Sequence, residues 1–136
     1  MVKNICKDIE LLKIKGTDVA KDELYVVDDL IDTLKFNIDR CVGMAANMIG
    51  YSKNAIVFVQ NGKIEYMINP IIIKKDKEYT TEEGCLSLSG VRSTKRYKKI
   101  KVQFYDRDFK IRIKSYSDYT AEIIQHEIDH LFGIII

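Results

Sequence analysis

The sequence predicts an α+β fold in which antiparallel β-sheets pack around a buried C-terminal helix. Three observations carry this prediction: an amphipathic helix before residue 41, strand-like segments joined by turn sequences, and a last helix that is apolar on two faces. Strands joined by tight turns pair antiparallel, whereas alternating α/β proteins need long crossovers. The length of 136 residues predicts a single domain, 1–136, large enough to bury its own core.

Composition excludes several classes of protein. The formal net charge of +2 is too small to indicate a DNA or membrane partner. No apolar run approaches the ~20 residues that a membrane helix needs. The three cysteines, an odd number without framework spacing, favour reduced thiols. Because no signal peptide is visible either, a cytoplasmic location is expected.

The first helix is predicted over residues 22–40, where apolar residues recur at spacings of three and four. The small and apolar segment 41–50 predicts a loop or strand in which backbones approach closely. Strands follow at 55–60 and 63–68, and Asn61-Gly62 between them is the strongest short hairpin signal. The remaining strands are predicted at 71–75, 101–105 and 109–114, the last two as a second hairpin.

The last helix is predicted from residue 118 to 132, with Gly133 placed to end it. At 100° per residue its apolar side chains fall on two faces, so we expect both faces to be packed. One of these faces carries Tyr119, Ile123, His126 and His130. The only strip predicted to face solvent is formed by Glu122, Gln125 and Asp129.

This helix carries both histidines of the chain in an H-E-x-x-H pattern. His126 and His130 are one helical turn apart, so both imidazoles can bind one metal ion. Glu127 lies beside that site, where a general base for an activated water molecule belongs. Two core histidines that happen to be four residues apart are the disfavoured alternative.

A third metal ligand has to come from upstream, because only six residues follow His130 and none is polar. Cys85 is the best candidate, since a metal-bound cysteine is a thiolate and the preceding Gly84 allows a close backbone approach. Cys6 and Cys41 are weaker candidates and are interpreted as small core residues.

In three segments the chain resembles the peptide deformylase family. These segments stand as Cys41–Met48, Glu83–Ser87 and Gln125–Leu131, in the family's order. The last two match the motifs E-G-C-L-S and Q-H-E-x-D-H-L completely, whereas the first is a degraded form of G-x-G-L-A-A-x-Q. The spacing of 41 residues from Cys85 to His126 also fits the family.

The resemblance implies a peptide deformylase-like fold with one divalent ion held by Cys85, His126 and His130. By this resemblance the expected ion in the cell is ferrous iron, with zinc or nickel able to occupy the same site. The implied reaction removes the N-formyl group from N-formylmethionyl peptides or nascent chains, an N-terminal processing step of protein biosynthesis. Glu127 would move the proton and the Leu86 N–H would stabilise the oxyanion. The implied substrate-binding residues are Val42, Gly43, Gly84, Arg92 and Ile123.

Met48 is the most serious departure from the family, which has a glutamine there that donates a hydrogen bond to the formyl oxygen. A thioether donates none, so reduced activity is predicted. Neighbouring Asn47 is expected to point away, as residues alternate along a strand. Two alternatives remain open: a catalytically impaired paralogue that binds metal and peptide, and an H-E-x-x-H peptidase that uses Cys85.

Two further segments allow more than one interpretation. Glu122 stands where the family usually has an aliphatic residue lining the methionine pocket; it is interpreted as a solvated helix residue that makes one wall more polar. The basic run 92–101 carries six positive charges and no acid. It can contact ribosomal RNA or a substrate carboxylate, but a solvated edge-strand face is the preferred interpretation.

Overall fold

The computed structural model describes all residues, 1–136, and confirms the predicted α+β class. The helices are α1 (Ile9–Leu12), α2 (Tyr25–Phe36) and α3 (Asp118–Leu131). The strands are β1 (Gly43–Ala45), β2 (Ala55–Gln60), β3 (Lys63–Cys85), β4 (Leu88–Tyr105) and β5 (Ile111–Ser117). All five strands form one antiparallel sheet, in which their spatial order follows their order in the sequence.

Helix α2 is shorter than the predicted 22–40. Its first residues form a 3-10 turn over Lys21–Glu23, and the α-helix ends at Phe36. The Asn37 backbone N–H donates to the Thr33 carbonyl at 3.2 Å, and the Asn37 side-chain amide donates to the same carbonyl at 2.8 Å, so Asn37 closes the last turn. Residues 38–40 therefore leave the helix and become available to line a cavity.

The β2–β3 hairpin forms as predicted. Gln60 pairs with Lys63 across a two-residue turn, and Asn61 and Gly62 have φ values of 52° and 76°. Positive φ at both central residues is what a type I′ turn requires, and Asn-Gly meets that requirement at low cost. The turn aligns β2 so that its apolar residues face the core.

Strands β3 and β4 extend far beyond the predicted segments 71–75 and 101–105. They pair from Ile68↔Tyr105 to Cys85↔Leu88, with bulges near residues 68–74 and at the far end. The stretch 74–83 is polar and mostly exposed, so it has no apolar alternation to mark it as a strand. Backbone pairing holds it instead, and the turn at Leu86-Ser87 brings Cys85 to the end of β3.

Helix α3 packs against β1, β2, β4 and β5, and most of its residues are buried. Two predictions for its faces are wrong. Gln125 is only 4% exposed, because its amide exchanges two 2.8 Å hydrogen bonds with the Tyr97 backbone. Those bonds occupy the edge of β4 that β5 leaves free, since β5 ends opposite Lys99. Tyr119 is 64% exposed, in the first turn of the helix.

The core lies between this helix, α2 and the sheet. Its largest fully buried side chains include Leu30, Leu34, Met44, Phe58 and Ile124. None of the helices combines the length and the apolar character needed to cross a bilayer.

Candidate metal centre

The three predicted metal ligands meet where the end of β3 approaches α3. The ligand atoms of Cys85, His126 and His130 all lie within 4.8 Å of one another. The two histidine Nε2 atoms are 3.1 Å apart, so the rings converge on one point. Cys6 is not part of this cluster. Cys41 is nearby, but its thiol donates to the Gly43 carbonyl at 2.9 Å.

The donor set fits a divalent transition-metal ion. Two imidazole nitrogens and a thiol suit zinc, ferrous iron or nickel better than calcium or magnesium, which prefer oxygen. The two Nε2 atoms face each other inside the protein, an arrangement that a cation between them would stabilise. Burial, then the charges of His126 and Arg96, lower the pKa of His130, so this ring is in the neutral form that binds metals.

Glu83 orients His126. Its Oε1 accepts a hydrogen bond from the Nδ1 of His126 at 2.7 Å, which leaves Nε2 free to bind a metal ion. Burial alone would raise the pKa of Glu83, but hydrogen bonds from His126 and Arg96 outweigh it and lower that pKa to about 2. Glu83 is therefore a carboxylate that holds the ring in one tautomer and one orientation.

Arg96 completes this network, although the sequence interpretation placed it on a solvated face. It is 3% exposed and donates from Nη2 and Nε to Glu83 at 2.6 and 2.9 Å, and from Nη1 to Asp129 at 2.7 Å. Composition alone does not distinguish the inward-facing Arg96 from the other cations in the basic run of β4. The available signal was Glu83, an acid two residues before Cys85, which needs a cation or hydrogen-bond donors if it is buried beside the metal ligands.

Glu127 is buried beside the ligands. Burial raises the pKa of its carboxyl to about 7, so the group can both accept and return a proton near neutral pH. Its Oε1 has no hydrogen-bond partner in the chain. A Cβ on Gly43 would come within 2.9 Å of Oε2 and 2.7 Å of Ile123 Cγ2, so only glycine lets β1 pass this close.

A cavity of about 500 Å³ opens in front of this centre. Nine of the predicted site residues line it: Val42, Gly43, Met48, Gly84, Cys85, Leu86, Ile123, His126 and Glu127. His130 is fully buried and does not line the cavity, and neither does Arg92, whose guanidinium donates to the Ser89 carbonyl at 3.3 Å. A Cβ on Gly84 would make only ordinary contacts, at 3.5 and 3.7 Å, so protein packing does not require glycine there.

Met48 lies in a 3-10 turn, Ala46–Ile49, rather than in a strand. Its sulfur accepts a hydrogen bond from the Ala45 N–H at 3.4 Å, and the side chain is 1% exposed. Neighbouring Asn47 donates from Nδ2 to the His130 carbonyl at 2.8 Å. This hydrogen bond, and not the alternation of residues along a strand, sets the direction of its side chain. The Leu86 N–H, in the turn after β3, donates to no backbone acceptor.

Apart from Glu122, which the sequence analysis placed at one wall of the pocket, sequence reasoning missed the rest of the cavity wall. It is formed by Ile38, Asp39, Arg40, Cys41, Tyr119, Glu82, Glu83 and Glu122. Glu122 was expected in solvent but is half-buried, and the Tyr79 hydroxyl donates to its Oε1 at 3.0 Å. Residues 38–40 were hidden by the overlong helix prediction.

Comparison with known proteins places this geometry in a family. A family model described as polypeptide deformylase matches residues 2–136. A peptide deformylase of Clostridium beijerinckii is 52% identical over 136 residues, which is 100% of both chains. Peptide deformylase 3 of Shewanella oneidensis is 38% identical over 131 residues, covering 91% of this chain and 79% of that protein.

Solved structures give the same result. The crystal structure of a peptide deformylase from Thermotoga maritima has a TM-score of 0.89 and 26% identity, covering 99% of this chain and 95% of that one. The Met-Ala-Ser-bound class I type b peptide deformylase from Acinetobacter baumannii has a TM-score of 0.88 and 26% identity, covering 99% and 97%.

Proposed function

Because this chain belongs to the peptide deformylase family of metal-dependent hydrolases, we propose that it removes the N-formyl group from N-formylmethionyl peptides. The observation that carries the proposal is the convergence of Cys85, His126 and His130 within 4.8 Å, beside the buried Glu127 at a cavity. The products are formate and a peptide with a free amino terminus.

In this proposal Cys85, His126 and His130 hold one divalent ion. The chemistry that the ion supplies when bound is Lewis-acid activation of water and of the formyl carbonyl. Glu127 accepts the proton of the attacking water through its unpaired, buried carboxyl and returns it to the leaving amine. The Leu86 N–H, which has no backbone acceptor in its turn, donates to the developing oxyanion.

Five further residues position the substrate. Val42 and Gly43 present main-chain groups to the peptide as an added strand, the recognition mode that reads backbone rather than side chains. Gly84 and Ile123 border the same cavity and contact the residue that follows the formyl group. Arg92 contacts the peptide farther from the metal centre, since it lies outside the cavity wall.

We propose ferrous iron as the physiological ion, with zinc or nickel able to replace it. The mixed nitrogen and sulfur ligand set accepts all three. The test is the metal content of protein purified anaerobically and its turnover of formyl-Met-Ala after loading with each ion. Higher turnover with zinc than with iron would contradict this assignment.

Met48 at the cavity supports a lower turnover than that of an enzyme with a donor at this position. A second candidate function follows from the same residue: a catalytically impaired paralogue that binds metal and peptide. A third candidate, a peptidase acting on internal bonds, uses the same ligands.

One assay separates these functions. Iron-loaded protein is incubated anaerobically with formyl-Met-Ala and with an unblocked peptide, and Glu127→Gln protein serves as the control. Release of formate well above the control supports deformylation. Peptide binding with turnover no higher than the control supports the paralogue, and cleavage of the unblocked peptide supports the peptidase.

The proposed substrate implies a cytoplasmic enzyme that meets nascent chains. Its three cysteines are free, which agrees with a reducing compartment. Exposed Lys95, Lys98 and Lys99 on β4 support a transient contact with ribosomal RNA. Co-sedimentation with ribosomes that weakens steeply with salt, and is lost on replacing these lysines, tests the contact.

A further inference from the structure

A second cavity, of about 400 Å³, lies among strands β3, β4 and β5 and shares no lining residue with the cavity at the metal centre. On β4 its lining residues Lys99 and Lys101 alternate with Ile100 and Val102, whose side chains are buried in the core. Because successive side chains of a strand point to opposite faces, both lysines point away from the core. The cavity is therefore on the outer face of the sheet, and the proposed reaction does not use it.

Lys74 and Lys101 line this cavity as direct cross-strand partners. Their Cβ atoms are thus about 4.5–5.5 Å apart, and like charges that face each other across two strands destabilise a sheet. Neither lysine forms an ion pair that would offset this repulsion. The partner of Lys101 on β5 is Ser115, which contributes a hydroxyl group. An anion between the two ammonium groups would replace the repulsion by attraction.

The next row across the sheet adds a third lysine and a second hydroxyl group. Asp76 pairs with Lys99, and Lys99 pairs with Ser117. Asp76 is the single acid of the cavity, so its three lysines retain a surplus of two positive charges. Ser117 is the N-cap residue of α3, but its hydroxyl makes no capping hydrogen bond and is free to donate to a ligand.

We propose that this cavity binds phosphate groups through the ammonium groups of its three lysines and the hydroxyl groups of Ser115 and Ser117. One phosphate monoanion or dianion, or two neighbouring phosphodiesters, matches the surplus charge and offers acceptor oxygens to donors from three strands. A carboxylate supplies one charge and two oxygens, which leaves part of the surplus unmatched. The source of the phosphate is either the free anion or an RNA backbone. The site goes beyond the proposed deformylation and does not depend on it.

The test is a titration of zinc-loaded protein with inorganic phosphate at constant ionic strength, followed by the NMR shifts of its backbone amides. In the wild-type protein we expect saturable shifts that are largest at residues 74, 101, 115 and 117. In the double variant Lys74→Gln/Lys101→Gln the Kd for phosphate should rise by at least about tenfold. The matched control is Lys63→Gln/Lys110→Gln, which removes two exposed lysines outside the cavity and changes the net charge equally. Its Kd should equal that of the wild type.

A second titration, with a single-stranded oligouridylate, distinguishes the two sources of phosphate. Oligouridylate that shifts the same amides, and binds at least about tenfold more weakly to the cavity variant than to the control variant, identifies an RNA backbone. The same dependence with inorganic phosphate alone identifies the free anion. Equal weakening in both double variants would show that only overall charge matters, and it overturns the site. So does the absence of saturable shifts at these amides with either probe, a result that wild-type protein gives without any substitution.

Discussion

At the scale of single residues, Met48 sets how many hydrogen-bond donors face the cavity. Glutamine has nearly the shape of methionine, and its Oε1 can accept the Ala45 N–H that the Met48 sulfur now accepts. Its Nε2 would then be free to donate toward the formyl oxygen. We expect Met48→Gln to raise kcat on formyl-Met-Ala by about 10²-fold.

The comparison for this change is Met48→Leu, which fills the same space and adds no donor. Both proteins are loaded with iron, and their metal content and kcat are measured together. A Met48→Gln rate no higher than that of Met48→Leu, at equal metal content, would show that the oxyanion does not need a donor from this position.

Arg96 shows a different kind of residue effect, because it neutralises two acids from other elements. Replacing it by methionine keeps much of the volume but leaves Glu83 and Asp129 without their cation, and Glu83 is almost completely buried. We expect Arg96→Met to lower the free energy of unfolding by about 3–5 kcal/mol. Urea denaturation measures the loss.

The matched control is Lys98→Met, which removes an exposed cation two residues farther along β4. A surface charge of this kind contributes on the order of 0–1 kcal/mol. If the two variants lose equal stability, then the contacts of Arg96 with Glu83 and Asp129 do not stabilise the fold.

At the scale of elements, the turn and helix signals were the most informative part of the sequence. Asn61-Gly62 specified its hairpin because few dipeptides adopt positive φ twice at low cost. The C-terminal helix and its pair of histidines followed from a spacing of one turn. The polar half of the β3–β4 hairpin could not be found in this way, since its side chains show no alternation and its order comes from backbone pairing.

The residues of the candidate site also fall into two groups, those that the sequence alone indicates and those that it does not. Its candidate metal ligands and Glu127 could be named from the sequence because they stand in short, specific motifs, and the structure brings them together. Arg96, Gln125 and the pair of Tyr79 and Glu122 could not, since each depends on a partner in another element. The residue pattern of a helix can predict that a polar side chain faces solvent, although a neighbouring strand buries that side chain in the folded protein.

Gln125 provides a test at this scale, because it joins α3 to the edge of β4. Replacing it by leucine leaves the Tyr97 N–H and carbonyl without their 2.8 Å partners. We expect a loss of about 1–3 kcal/mol in the free energy of unfolding and faster amide exchange at Tyr97. Unchanged exchange at that amide in Gln125→Leu would mean that the strand edge finds another partner.

At the scale of the whole molecule, an ion bound by Cys85, His126 and His130 would cross-link the sheet and the last helix. Cys85 ends β3, whereas His126 and His130 lie on α3, and His126 follows Cys85 by 41 positions in the chain. An unfolded chain loses conformational entropy when ligands that are distant in the sequence are brought together. In the folded chain these ligands are already close, so metal binding carries no such cost. An ion that binds all three ligands therefore binds the folded chain far better than the unfolded one.

Removal of the metal is thus expected to destabilise the entire fold. Zinc at a thousandfold excess over its Kd contributes about 4 kcal/mol, so the metal-free protein should unfold roughly 12 °C below the loaded one. Calorimetry of both forms measures the difference, and Cys85→Ser, which lacks the ligand from β3, should show a much smaller one. If Cys85→Ser protein keeps one tightly bound ion and the full increase in Tm, then the sheet contributes no ligand, and the two histidines of α3 hold the metal without it.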